Sequence, residues 1–218
     1  MSQSQVNIRW FGHSMFMIWD DKVKMVTDPF DDSVGYEVPD MTADLVLVSH
    51  RHFDHDNISA VKGKPEVVEG EGEKSSREVK FTGIGSVHDE KDGTLRGKNT
   101  LFVWELGGIR FVHLGDQGIM LNDEQMKKMG EVDVLFVPVG GYFTIDAGVA
   151  SRIVSALNPK VVIPMHYKTE VMGKDFPISG VDDFLKGKER VEKAGGNTLT
   201  LTRESLPDKT TIYVLDYR

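Results

Sequence analysis

Residues 45–55 read L-V-L-V-S-H-R-H-F-D-H, and they constrain the chain more than any other stretch. Four consecutive apolar residues predict a strand buried on both faces, so other layers must cover its sheet above and below. The strand runs directly into His50, His52, Asp54 and His55, four ligand-type side chains in six positions. These residues therefore belong to a loop at a sheet end. Alternate residues of an extended loop point the same way, which lets His50 and His52 grip one ion. Asp54 and His55 lie where the chain turns away and can face a second ion close by. Imidazole nitrogen and carboxylate oxygen suit zinc and similar divalent metals. A lone His-x-His would read as a solvated polar loop, but this density of ligands after a buried strand does not.

Composition narrows the chemistry further. The chain has no cysteine, which excludes disulfides and thiolate zinc sites, so any metal must be held by His and carboxylate. The net charge of −8 argues against a general nucleic-acid binder, which would present a basic face. No apolar run reaches membrane-spanning length. The leading M-S-Q-S-Q-V-N has neither the basic nor the apolar region of a secretory signal. A cytoplasmic protein with no membrane partner is expected. The 218 residues suit one domain over 1–218, because no repeat, low-complexity tract or flexible linker divides them.

The pattern of apolar residues predicts strands over 6–11, 14–19, 23–27 and 44–49, with a short helix capped by Asp56 after the ligand loop. Strands over 65–69 and 78–84 flank the turn-prone G-E-G-E-K-S-S, and Gly107-Gly108 joins 101–106 to 109–113 as a hairpin. Helices are expected over 122–129, with Asn122 or Asp123 near the cap, and over 147–157, stopped by Asn158-Pro159. Strands over 133–139 and 160–164 follow the same logic, the second delivering His166. Residues 180–195 read as helix and loop, and 199–202 with 211–215 as a closing hairpin. Two sheets with helices outside them account for this order.

H-x-H-x-D-H at 50–55 resembles the metallo-β-lactamase superfamily, and the order of further motifs extends the likeness over residues 8–169. It is closest to a small stand-alone branch of predicted zinc-dependent hydrolases that includes ascorbate-lactonase-like proteins. F-G-H-S (11–14), T-D-P-F (27–30), R-G-K-N-T (96–100) and P-V-G-G (138–141) carry that likeness. The resemblance implies an α/β (α+β) fold class: a four-layer αβ/βα sandwich of two mixed sheets with helices outside. It also implies a binuclear site, with His50, His52 and His88 on the first ion, Asp54, His55 and His166 on the second, and Asp116 bridging. The three distant members lie in S-V-H-D-E-K-D-G, H-L-G-D-Q-G and V-I-P-M-H-Y-K. His113 competes with His88 as third ligand of the first ion, while strand alternation places it on the opposite face from Asp116.

The implied cofactor is two divalent metal ions, zinc first, with manganese or iron as alternatives. Five neutral histidines and two aspartates carry −2, two divalent ions +4 and a hydroxide −1, so the site keeps about one positive charge for an anionic substrate or an oxyanion. Bound metal lowers the pKa of water to about 7. The implied activity is a metal-dependent hydrolase whose activated hydroxide cleaves an ester, lactone or related bond of a small anionic substrate. Asp54 and Asp116 carry the catalytic assignment, Asp54 because it can accept or relay a proton.

Other residues bear weaker signals. Asp28 is a candidate hydrogen-bond partner for a ligating histidine, and His13 reads equally as a structural histidine after Gly12. Arg96, Lys98 and Lys168 could hold a carboxylate or phosphate, although each alone is more often a solvated charge. Tyr142 and Thr144 read as turn packing or pocket lining. Two other functions compete: a phosphodiesterase or nuclease on the same site, and a non-catalytic metal- or ligand-binding sensor. The chain is too short for an inserted nucleic-acid domain, shows no export signal typical of a true β-lactamase, and has His52 where flavo-diiron proteins place Glu.

Overall fold

The computed structural model describes residues 4–217 of the chain. The run at 45–48 forms the strand Leu45–Val48, with every residue buried. Its alternation sorts the four side chains. Leu45 and Leu47 enter the main hydrophobic core, while Val46 and Val48 enter a second core on the other face. Each fully buried aliphatic side chain contributes about 1.5–3 kcal/mol, so this short strand ties two layers together. A charge at Leu47 would sit between the layers with no partner.

Leu45–Val48 belongs to a six-stranded sheet. Its spatial order is Thr198–Leu201, Val6–Gly12, Met15–Trp19, Lys24–Thr27, Leu45–Val48 and Glu66–Glu69. An eight-stranded sheet runs Val191–Lys193, Thr211–Val214, Val161–Met165, Val134–Pro138, Ile109–His113, Lys98–Leu106, Val79–Val87 and Gly72–Ser76. Both sheets are mixed. Leu45–Val48 is parallel to both neighbours, whereas Val6–Gly12, Met15–Trp19 and Lys24–Thr27 are antiparallel in succession. The predicted hairpin about Gly107-Gly108 is present.

The sheets face one another across the main core, which takes Trp10 and Phe16 from the first and Trp104, Phe111 and Phe136 from the second. The Phe16 and Phe136 ring centroids lie 4.5 Å apart. On the outer face of the second sheet, the helix Ala147–Leu157 buries Ala150, Ile153 and Val154, the i, i+3, i+4 stripe of an amphipathic helix. Asp146 caps its start by accepting the Val149 N–H at 2.8 Å, and Asn158 ends it in a left-handed conformation. The helix Asp123–Met129 starts with a capping box between Asn122 and Gln125. Helices are few, and the outer face of the first sheet is covered by loops that contribute Phe30, Tyr36, Met172 and Ile178.

Three local expectations are corrected. The closing hairpin does not form: Thr198–Leu201 pairs with Val6–Gly12, and Thr211–Val214 with Val161–Met165 and Val191–Lys193. A turn capped by Thr202 lies between these two strands, and nothing in their local pattern says which sheet each joins. The G-E-G-E-K-S-S segment is not all turn. Gly72–Ser76 is an edge strand on Val79–Val87, and Arg77 and Glu78 alone make a tight turn with positive φ. After the ligand loop there is only a 3-10 turn, Ile58–Ala60, which follows Asn57 rather than a capping Asp56.

Candidate metal centre

Strand ends deliver the site. His13 follows Val6–Gly12, Asp28 follows Lys24–Thr27 and His166 follows Val161–Met165. All three are left-handed, with φ of 51°, 41° and 50°. This conformation costs a non-glycine residue about 1–2 kcal/mol, so the surroundings must impose it. The carbonyl of His13 accepts both the Trp10 indole N–H and the His166 N–H at 3.1 Å. Asp28 N–H donates to the Leu47 carbonyl at 2.9 Å. The three bends thus lock neighbouring strand ends to each other.

The contiguous loop and the distant residues converge. His50 Nε2 and His52 Nδ1 meet at 3.0 Å. Ligand atoms of His50, His52 and His88 all lie within 4.8 Å of one another, as do those of His13, Asp54, His55 and His166, and those of His50, His55 and Asp116. Asp116 lies between the first two groups. Its Oδ2 is 3.1 Å from Nε2 of both His88 and His166, and its Oδ1 is 3.3 Å from His55 Nε2. Asp54 Oδ2 is 3.2 Å from His13 Nε2 and 3.8 Å from His55 Nε2.

Two glycines make this approach possible. A Cβ on Gly115, which also has φ of +51°, would meet Asn99 Oδ1 at 2.4 Å and Ser49 Cβ at 2.6 Å. A Cβ on Gly140 would meet the His166 carbonyl at 2.3 Å. The glycines of H-L-G-D and P-V-G-G are therefore the clearance for Asp116 and His166.

An outer ring of hydrogen bonds orients the imidazoles. Asp28 Oδ1 accepts the Ser49 N–H at 2.8 Å, and Oδ2 accepts the Ser49 hydroxyl at 2.7 Å. Since that hydroxyl donates to Asp28, its oxygen accepts from His50 Nδ1–H at 2.9 Å, which leaves the His50 Nε2 lone pair facing inward. Asp28 Oδ2 also accepts from His55 Nδ1 at 3.1 Å. Asn99 accepts the Asp116 N–H at 3.2 Å and donates to the Leu114 carbonyl at 2.8 Å, fixing the peptide that carries Asp116. Such partners set ring orientation and donor strength at metal sites.

Protonation preferences divide the imidazoles. Burial, followed by the charge of neighbouring His55, pushes His50 down to about 3, and burial with His166 pushes His13 down to about 4. Burial opposes charge on His55 too, yet Asp116 and Asp28 hold it well above the ordinary histidine range. His88 is raised by Asp116 against the same burial. Burial would raise Asp116, but His166 and His55 hold it well below the ordinary carboxylate range. Burial opposes ionisation of Asp54 as well, and the His13 hydrogen bond lowers its pKa despite that.

The donor set fits a divalent cation. Among the described residues, seven buried side-chain polar atoms have no hydrogen-bond partner. Five of them belong to this cluster: His13 Nδ1, His55 Nε2, His88 Nδ1, Asp116 Oδ1 and His166 Nδ1. An unsatisfied buried polar atom costs about 1–3 kcal/mol, and two of these, His55 Nε2 and Asp116 Oδ1, face each other at 3.3 Å in the cluster, where a bound cation would compensate both.

Every residue assigned to the centre by resemblance lies in this cluster, and His13 joins them. F-G-H-S was the available signal for His13, but a histidine after glycine reads equally as structural. His113 lies outside all three groups. Its Nδ1 accepts the Gly115 N–H at 3.1 Å and its Nε2 faces the Ser14 carbonyl at 3.2 Å, so both ring nitrogens are engaged in packing. Lys168 is tied to the carbonyls of Lys174 and Phe176. Lys98 is exposed on its strand. Arg96 lies over the Phe143 ring at 5.5 Å. Thr144 is buried, whereas Tyr142 is exposed rather than packed into its turn.

A cleft of about 880 Å³ lies elsewhere, beside Asp133 and Lys160 where the strands Val134–Pro138 and Val161–Met165 begin. Asp116 and His166 sit at the finishing ends of the same sheet. The cleft contains none of the clustered donors, and no helix of the described residues is long and apolar enough to cross a membrane.

Comparison with known proteins places this geometry. Residues 7–166 match the family model of the beta-lactamase superfamily domain. A UPF0173 metal-dependent hydrolase of Thermus thermophilus is 32% identical over 190 residues, covering 75% of this chain and 84% of the relative. One from Pyrobaculum neutrophilum is 30% identical over 216 residues, covering 87% and 94%. Among solved structures, a candidate Zn-dependent hydrolase of the metallo-β-lactamase superfamily from Thermotoga maritima is 40% identical with a TM-score of 0.81, covering 96% of this chain and 98% of that one. Two mixed sheets, a His/Asp cluster at their ends and these similarities together establish that the chain belongs to the metallo-β-lactamase superfamily and, within it, to the UPF0173 metal-dependent hydrolases.

Proposed function

We propose that the chain hydrolyses an ester or lactone of a small anionic molecule with two divalent ions, zinc the first choice. His50, His52 and His88 would hold one ion and Asp54, His55 and His166 the other, with Asp116 shared. The observation that carries this reading is the position of Asp116, whose carboxylate lies within 3.3 Å of His88, His166 and His55 at once. When bound, the ions supply a water-derived nucleophile at neutral pH and polarise the oxygen that gains charge.

The chain's own residues do the rest. His13 Nε2–H orients Asp54 at 3.2 Å, and Asp54, the most exposed of the three site aspartates, is placed to take a proton from an incoming water. Asp28 keeps the Nδ1 proton on His55, and the Ser49 hydroxyl keeps it on His50, so each ring presents Nε2 inward. No side-chain nucleophile is required. The lactone preference rests on the motifs F-G-H-S, T-D-P-F, R-G-K-N-T and P-V-G-G alone, read as resembling the lactonase-like branch.

The test is metal analysis of the purified chain, followed by a panel of lactones, thioesters and phosphodiesters with zinc added. Turnover of a lactone or ester is expected, and chelation and Asp54→Ala each abolish it. Folded protein that takes up no divalent metal overturns the site assignment. Turnover confined to phosphodiesters overturns the bond class alone.

A further inference from the structure

Four large apolar side chains are exposed among the described residues, and three of them lie on segments that carry the candidate metal ligands or are hydrogen-bonded to them. Phe53, Leu95 and Tyr142 are 63%, 62% and 64% exposed. The fourth, Val67, lies on the edge strand Glu66–Glu69. Phe53 stands between His52 and Asp54. Leu95 belongs to a loop that returns to His88, whose N–H donates to the Gly97 carbonyl at 3.1 Å. Tyr142 belongs to a loop fastened to the other ligands. Gly140 N–H donates to the His166 carbonyl at 3.1 Å, and Ile145 N–H to the carbonyl of Gln117, next to Asp116, at 2.8 Å.

The three positions are built rather than incidental. Buried Asp89 accepts the backbone N–H groups of Lys91, Gly93, Leu95 and Arg96, so the segment after His88 is pinned with Leu95 outward. The Arg96 guanidinium lies 5.5 Å from the Phe143 ring, and Phe143 meets Tyr142 edge-on at 4.7 Å. The loops carrying Leu95 and Tyr142 therefore touch. Tyr142 is also left-handed, with φ of 61°. A bulky residue there is strained, and an exposed ring gains little burial to offset it. Glycine or asparagine would fit that backbone better.

We infer that Phe53, Leu95 and Tyr142 form an apolar subsite for the substrate, with Arg96 holding its anionic group. The substrate class is then an amphipathic anion: a carboxylic ester or lactone bearing an aryl or alkyl group of about phenyl size. This rests on the hydrolase reading above and names its substrate. A second copy of the chain is the weaker occupant, because seating it on this rim would close the centre to any substrate.

The test uses the zinc-loaded full chain and titration calorimetry with acetate, 4-phenylbutyrate and the neutral 4-phenylbutanamide. 4-Phenylbutyrate is expected to bind at least about tenfold more tightly than acetate, the scale of burying a few methylene equivalents. Leu95→Ser combined with Tyr142→Ser reduces that preference to about twofold, with zinc content unchanged. Arg96→Met weakens 4-phenylbutyrate by about tenfold and leaves the amide unaffected. Equal binding of the two carboxylates overturns the proposal, as does a preference that survives the double variant. So does a dimer that the double variant converts to monomer without altering ligand binding. If no zinc is taken up, the hydrolase reading fails separately, and the same series on the metal-free chain decides the subsite: preference supports it, and indifference overturns it.

Discussion

The two ends of the eight-stranded sheet each centre on an aspartate, Asp133 or Asp116, and differ in almost every other property. Where the strands begin, Asp133 accepts the Arg110 N–H at 2.9 Å and pairs with Lys160 at 3.5 Å and with Arg203. Its cationic partners are half exposed, at 42% and 47%, and Lys160 lines the cleft of about 880 Å³. Where the strands finish, Asp116, His88 and His166 are buried, the chain bends into left-handed conformations, and polar atoms are left without partners. Volume and reactivity are thus separate properties. An open cleft between loops costs little when its charges are paired and solvated, whereas buried donors without partners persist only where a ligand compensates them.

Breaking the metal centre, at the donors that the six-stranded sheet supplies, has the largest effect. Asp28→Ala removes the acceptor for Ser49 and His55 together, and it should destabilise the metal-free protein by about 3–5 kcal/mol and weaken zinc binding by about 10–100-fold. Chemical denaturation and competitive zinc titration check both, and unchanged zinc affinity would show that Asp28 does not orient the donors.

The pH dependence of the metal-free protein comes next. His50 and His13 have folded pKa values below the unfolded value of 6.5, so the unfolded chain binds more protons and stability falls as pH drops from 6.5 toward 4. Each group contributes a slope of about 1.4 kcal/mol per pH unit across that window. His55 and His88 are raised, so their contribution is complete below 6.5 and is lost as pH rises through their folded values. Stability should therefore peak near pH 6.5. Calorimetric melts that rise steadily from pH 5 to 9 would contradict this division of the imidazoles.

Asp89→Ala has a smaller and more local effect. It releases four backbone N–H groups and should cost about 1–3 kcal/mol, with amide exchange accelerating over 90–96 and little change elsewhere. Acceleration spread over the whole sheet would mean that Asp89 supports the core rather than the loop.

At the starting end, Asp133→Asn sharpens the contrast. It should cost about 1–2 kcal/mol in thermal denaturation, because its partners can return to water. Zinc content and turnover should be unchanged, and a loss of either would couple the two ends.

Much of this centre was legible because its first part is contiguous. His50 to His55 needed only a buried strand before them, and L-V-L-V supplied it through a period of two. His88 was harder, since the five residues that follow it, D-E-K-D-G, are polar and carry no strand or helix pattern. One of those polar residues, Asp89, is in fact buried and gathers the backbone that makes the segment rigid. Tyr142 was left between turn packing and pocket lining for the opposite reason. An aromatic in a glycine-rich turn is usually packed, and only the backbone bend at Gly141 and Tyr142 places it in solvent. The segments 199–202 and 211–215 alternate alike and join different sheets, a choice that lies in their partners.

By itself the sequence determined the chemistry: no thiol, a dense run of His and Asp, and a strand apolar enough to hold them at the end of a covered sheet. Those properties are local, because side-chain type and a period of two are written in neighbouring residues. The tertiary structure alone decided that His13 belongs with Asp54, that Asp116 faces histidines from both halves of the chain, and that Arg96 meets the Phe143 ring. These contacts join residues far apart in the chain, and their geometry is set by strand register, left-handed bends and glycine clearance, none of which a single segment encodes.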